Sequence, residues 1–253
     1  MLLSLPVTDR KIIICRDLDE LSRQAAAQFV VLAQQAIIAR GRFTVALSGG
    51  STPKALYSLL ATDELKQQLT WQKIHLFWGD ERCVSPDHTE SNFRIVKESL
   101  LTKVQIPTEN VHRMAGELAP FAAAIAYERE LEEMFLPLEE SLPRFDLLLL
   151  GLGEDGHTAS LFPGSAALNE SARLVVPNYI EKLNAYRLTL TLPVINNGAQ
   201  IYFLVAGKNK ASMVKEILQR KTGDYPAARI QPTHGQLTWF ITQDAADNLA
   251  LSH

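Results

Sequence analysis

The apolar runs of this chain do more than any other feature to narrow its fold. FDLLLL (145–150), IYFLVA (201–206), FTVAL (43–47) and IHLFW (74–78) carry at most one polar side chain each. A strand with one wet face alternates apolar and polar residues, so these runs predict strands covered on both faces, as in a parallel sheet. RLVV (173–176), RLTLTL (187–192) and LTWFIT (237–242) read as further strands. Helical patterns separate them at 18–39, 53–60, 92–101, 120–136 and 209–219, the first closing on Arg40-Gly41. The alternation predicts an α/β fold: a mostly parallel central sheet flanked by helices on both faces, with a small extra layer built around 173–192. No repeat or Gly/Ser/Pro-rich linker divides the 253 residues, which reads as a single domain, 1–253.

Charge and cysteine content exclude several functions. A net charge of −3 supplies no basic field for nucleic acid or an anionic membrane. Two cysteines, Cys15 and Cys83, form no CxxC pair and make neither a disulfide scaffold nor a structural zinc site. The opening MLLSLPVTDRK lacks the basic flank of a secretory signal, and no apolar run approaches the ~20 residues that span a bilayer. The expectation is a cytoplasmic protein acting as a monomer, in which the sequon at Asn169 carries no meaning.

In α/β sheets ligands bind beyond the carboxyl ends of the strands, so the residues after each strand carry the functional signal. FTVAL runs into Ser48, Gly49, Gly50, Ser51 and Thr52, after which Pro53 opens a helix. The glycines allow close backbone approach, and N–H groups at a helix start attract anions. The stretch is not a P-loop, and its bland alternative is a tight turn with an N-cap. IHLFW runs into Asp80, Glu81 and Arg82, either a solvated turn of ion pairs or a carboxylate and an oxyanion-binding guanidinium. Ser91 reads as the cap of the next helix.

FDLLLL runs into GLGEDGHTASLFPG, where Gly151, Gly153 and Gly156 have the G-x-G-x-x-G spacing of dinucleotide sites. That reading fails on charge, because Glu154 and Asp155 would sit beside a pyrophosphate. The acidic ribose ligand is also missing, since RLVV ends in Pro177-Asn178. What remains is His157, two residues beyond a carboxylate in a loop at a strand end. A lone histidine is more often structural, but Asp155 can fix this one's tautomer, which favours a general base. Whether Asp155 or Glu154 is its partner stays open.

Six stretches together resemble the 6-phosphogluconolactonase family: SGGSTP (48–53), GDER (79–82) with SNFR (91–94), GLGEDGHTASLFPG (151–164), RLTLTLPVIN (187–196), VAGKNKA (205–211) and HGQLTWFITQDAA (234–246). They occur in the family's order and span nearly the whole chain. The resemblance implies an α/β fold related to glucosamine-6-phosphate deaminases and ribose-5-phosphate isomerases, with no metal or organic cofactor. It implies hydrolysis of 6-phospho-D-glucono-1,5-lactone in the oxidative pentose phosphate pathway. His157 falls on the family's proposed general base, with Asp155 beside it. Ser48, Gly49, Gly50, Ser51, Thr52, Arg82 and Lys210 fall on positions associated with the substrate phosphate, and Arg187 on another basic position of the site; Asp80 joins them with a less defined role.

Two rivals follow. Deaminases share GxxDGH but continue into a phenylalanine–asparagine–glutamate–proline stretch, whereas this chain reads Ala159-Ser160-Leu161-Phe162-Pro163-Gly164. A non-catalytic sugar-phosphate-binding module would use the same phosphate loop but has no need of the Asp155/His157 pair. No G-x-S-x-G elbow is present, so Ser48, Ser51 and Ser160 are not required as nucleophiles. Backbone N–H groups of the Gly151–Gly156 loop are the expected oxyanion donors. Trp71, Trp78 and Trp239 read as core, His75, His112 and His234 as structural, and Tyr127-Glu128-Arg129-Glu130 as a solvated helix face.

Overall fold

The computed structural model describes residues 10–135, 142–220 and 224–250. The signal-peptide reading of the first nine residues and the helical reading of Leu136 lie outside them.

The strands are β1 (Lys11–Cys15), β2 (Phe43–Leu47), β3 (Ile74–Trp78), β4 (Asp80–Arg82), β5 (Val111–His112), β6 (Leu147–Leu150), β7 (Val175–Ile180), β8 (Ala185–Leu190), β9 (Gln200–Val205) and β10 (Gln236–Thr242). The helices are α1 (Leu18–Arg40), α2 (Ser51–Leu60), α3 (Asp63–Lys66), α4 (Asn92–Ser99), α5 (Pro120–Phe135), α6 (Leu192–Asn196) and α7 (Ala211–Lys215). Seven strands form one sheet in the order β1-β10-β9-β6-β2-β3-β5, all parallel. The other three form an antiparallel sheet in the order β4-β8-β7, which is the extra layer.

Helices cover both faces of the large sheet, as side-chain alternation shows. Phe43 and Ala46 are three residues apart on β2 and so point to opposite faces. Phe29 of α1 packs edge-on against Phe43, with ring centroids 5.2 Å apart. Phe135 of α5 packs against Phe77, the register partner of Ala46. The two helices therefore lie on opposite sides. Helix α1 forms where it does because Asp17 accepts the Glu20 N–H at 2.9 Å and Gly41, at φ 75°, returns its N–H to Ile37. Between those caps Leu21, Ala25, Phe29, Ala33 and Ala36 form the buried stripe.

Several local expectations shift. Helix α2 begins at Ser51, so Pro53 stands at its third position rather than its first. The strand reading RLVV becomes Val175–Ile180, and RLTLTL becomes Ala185–Leu190 because Thr191 stands at the N-cap of α6, which starts at Leu192. The segment 209–219 divides into a 3₁₀ turn, the short α7 and a π-helical turn at Glu216–Arg220. Asp80–Arg82 is not a solvated turn: Gly79 donates to Leu47 in the large sheet and accepts from Leu190 in the small one, and the chain changes sheets there. Nor is 127–130 a solvated face. Tyr127 is buried with its hydroxyl against the Trp78 N–H, Glu128 accepts from the Leu174 N–H and pairs with Arg173, and Glu130 bonds His112. Helix α5 lies against β7 and β8 as well as the large sheet, so more of its circumference is covered than one amphipathic stripe would require. Trp71, Trp78 and Trp239 are core residues. His75 sits 3.1 Å from His112, and burial pushes its imidazole down to about 4.

Candidate active site

Strands β9, β6, β2 and β3 are adjacent and parallel, so the loops leaving their carboxyl ends meet on one edge of the sheet. There they enclose a cleft of about 240 Å³. All five residues Ser48–Thr52 line it, together with Asp80, Arg82, His157 and Lys210. Asp155 stands behind His157, and Arg187 is absent from the lining; it lies on β8 as the register partner of Arg82.

The wall made by residues 48–52 is a helix start left open. Gly50, at φ 105°, occupies the N-cap of α2, and no side chain caps the first turn. Uncapped N–H groups at a cleft wall suit an anion. Gly49 is required by packing, because a Cβ there would lie 1.8 Å from Asn92 Oδ1.

The adjoining wall comes from the change of sheet. Asp80 is buried, accepting from Ser160 Oγ at 2.7 Å and Asn92 Nδ2 at 3.2 Å. Glu81 accepts the N–H groups of Asn92 and Phe93, each at 2.7 Å, and pins the start of α4 to β4. Burial pushes its carboxyl above the usual range even so. Ser91 caps α4 as expected, accepting from Arg94 N. Arg82 and Arg187 occupy opposed positions on β4 and β8, and burial, followed by the Arg82 charge, lowers the Arg187 guanidinium. Arg82 on the cleft wall, with Arg187 beside it on β8, favours an anionic ligand.

At the third wall, His157 Nδ1 lies 2.5 Å from Asp155 Oδ1. Burial raises the Asp155 carboxyl, but bonds from Lys182 and His157 outweigh it and bring it to about 2. A carboxylate only accepts, so the proton of a neutral imidazole sits on Nδ1 and Nε2 keeps a free lone pair. Glu154 instead accepts from Asn209. The ring of Phe162 stacks on His157 at 4.2 Å. Gly153 must be a glycine here, since a Cβ would fall 2.0 Å from His157 Nδ1. The expected oxyanion donors are partly spent: the Gly153 N–H goes to His157 O and that of Gly156 to Gly153 O.

Sequence reasoning missed Asn92, Ser160 and Lys182, which hold Asp80 and Asp155 in place. The first two lie in SNFR and in the loop after β6, but their partner Asp80 is 12 and 80 residues away. His234 is exposed, away from the cleft. Among the described residues no group of His, Cys, Asp or Glu could hold a metal ion, and no helix is long and apolar enough to cross a membrane.

Cys83 adjoins Arg82, yet burial pushes its thiol up to about 11, with Arg187 only partly opposing. At pH 7.5 it should therefore react with iodoacetamide about 100-fold more slowly than free cysteine. Peptide mapping of a time course checks this; labelling at the free-thiol rate would contradict it.

The family described as glucosamine-6-phosphate isomerases/6-phosphogluconolactonase matches residues 16–239. A 6-phosphogluconolactonase of Synechocystis sp. is 47% identical over 218 residues, covering 85% of this chain and 88% of that one. One from Nostoc sp. is 43% identical over 220 residues, covering 86% and 88%. The solved structure of 6-phosphogluconolactonase from Trypanosoma cruzi superposes with a TM-score of 0.83 at 31% identity, covering 96% of this chain and 98% of that one.

Proposed function

The chain belongs to the glucosamine-6-phosphate isomerase/6-phosphogluconolactonase family, and from that premise we propose that His157 drives hydrolysis of 6-phospho-D-glucono-1,5-lactone to 6-phosphogluconate in the pentose phosphate pathway. The observation that carries the assignment of the base is the 2.5 Å contact from Asp155 to Nδ1, which in a neutral ring leaves the Nε2 lone pair free on a ring lining the cleft. Nε2 takes a proton from a water as its oxygen attacks C1. The tetrahedral intermediate then collapses, the bond from C1 to the ring oxygen breaks, and the imidazolium returns its proton to that oxygen. With the N–H groups of Gly153 and Gly156 committed within their loop, the oxyanion developing on the carbonyl oxygen of C1 falls to the other donors of the cleft.

The phosphate lies remote from C1 and serves as a handle. The open start of α2, Arg82 and Lys210 suit it, and Arg187, beside Arg82 on the neighbouring strand, adds to the positive field. Binding a group that takes no part in the chemistry stabilises ground and transition states alike. Arg82→Ala and Lys210→Ala should therefore each raise KM by about 10–100-fold, with kcat held within a few-fold. Steady-state kinetics decides it: a kcat collapse at unchanged KM would move either residue from the phosphate to the reacting carbon.

The test of the reaction uses lactone generated in situ and followed against its spontaneous decay, with glucosamine 6-phosphate supplied separately. Accelerated lactone loss without ammonia release supports the reading. Ammonia release would make the chain a deaminase, and binding without turnover a sugar-phosphate sensor.

A further inference from the structure

The small sheet reaches back to the proposed base. The turn between β7 and β8, Glu181–Leu183, ends on Asn184 in the left-handed region at φ 45°. That turn sets Lys182 over the outer face of the catalytic loop. Lys182 Nζ pairs with Asp155 Oδ2, while Asp155 Oδ1 holds His157 Nδ1. The same ammonium lies 4.7 Å from the centroid of the Phe162 ring, which stacks on His157. The carboxylate is thus shared, one oxygen to each cation-forming group.

We propose that Lys182 is a positioning residue that divides the charge of Asp155 and thereby sets the acid limit of the pH range in which His157 works. The inference rests on His157 being the base. A carboxylate given wholly to an imidazole stabilises the imidazolium and keeps it protonated to higher pH. A second cation on the other oxygen opposes the imidazolium and draws off part of that stabilisation. Asp155 thereby orients His157 while sharing its charge with Lys182. Lys182 keeps the carboxylate ionised, as the low value of Asp155 reflects.

The other charges around the imidazole are accounted for. Asp80 and Arg82 from the change of sheet and Lys210 beyond β9 line the cleft with it. Glu154 on its own loop is turned to Asn209. Glu181 lines the hollow behind Asp155 with Lys182. Among the described residues Lys182 is the cation in contact with the carboxylate from the side away from the cleft.

The experiment measures kcat/KM against pH for wild type, Lys182→Met and Lys182→Arg, with the imidazole of His157 titrated by NMR in each free enzyme. Acidic pH is convenient, because spontaneous lactone hydrolysis is slow there. Lys182→Met should move both the acid limb and the imidazole titration upward by about 0.5–1 pH unit, with the plateau kcat within about threefold. Lys182→Arg should leave both near wild type. The side chain of Lys182 is 55% exposed, so the displacement should shrink in high salt. An imidazole titration unmoved in Lys182→Met, or moved equally in Lys182→Arg, overturns the proposal. Failure of the parent reading looks different: in wild type the limb and the imidazole titration would not coincide, while the comparison of imidazole titrations still decides the role of Lys182.

Discussion

His157→Ala is expected to lower kcat by about 10²–10⁴-fold, the range a placed acid–base group contributes. KM should change little, because the proposed phosphate handle, at Arg82, Lys210 and the start of α2, does not involve His157. The lactone also opens unaided in water, so the residual rate must be measured against that background; the variant is expected to fall close to it. Asp155→Asn should lose at least about tenfold while keeping the imidazole, because an uncharged partner neither fixes the tautomer as firmly nor stabilises the imidazolium. The two losses should not add, since both act through one proton transfer. The Asp155 carboxyl lies at about 2, its burial outweighed by its bonds to Lys182 and His157, so it stays ionised wherever the enzyme is assayed. On the proposed mechanism the acid limb of the rate profile is therefore expected to come from the base rather than from Asp155, with activity present above the limb and lost below it. A His157→Ala enzyme retaining most of its kcat would remove His157 from the chemistry, while leaving the family membership untouched.

What could be read from the sequence, and what could not, follows from the range of the interactions. The central strands announce themselves because each is buried on both faces, and composition alone carries that signal in FDLLLL or FTVAL. Strand β1 has an exposed edge and mixed burial, and β5 has only two residues, so neither makes a pattern. The triplet Asp80-Glu81-Arg82 reads as a turn because three charges in a row are usually solvated. Its burial depends on β8, more than 100 residues later, and on N–H groups at the start of α4 that need an acceptor. Asp155 and His157 were legible as a pair because they are two residues apart. Their third partner was not, because Lys182 reaches Asp155 only through the turn of a second sheet. Arg187 was legible as a basic position, but only the strand register shows that it stands beside Arg82.

The glycine spacing after β6 resembles a nucleotide loop for a reason that has nothing to do with nucleotides, and a substitution can show it. Gly153→Ala would put a Cβ 2.0 Å from His157 Nδ1, 2.2 Å from its Cε1 and 2.7 Å from Asp155 Oδ1. These are ends of side chains rather than backbone, so the imidazole can swing aside and break its bond to Asp155 while the loop keeps its path. Alanine also restricts the unfolded chain, which offsets part of the strain. The expected result is a kcat at least about 100-fold lower, with the melting temperature within about 3 °C of wild type. Gly156→Ala should do the reverse in stability. Gly156 has φ +80°, and a Cβ would meet Tyr225 Cδ1 at 2.6 Å. A left-handed backbone with a crowded side chain costs about 1–2 kcal/mol, enough to lower the melting temperature by several degrees. One glycine thus makes room for the base and the other bends the loop that carries it. If Gly153→Ala kept its kcat, the position of the imidazole against Asp155 described above could not be the working one.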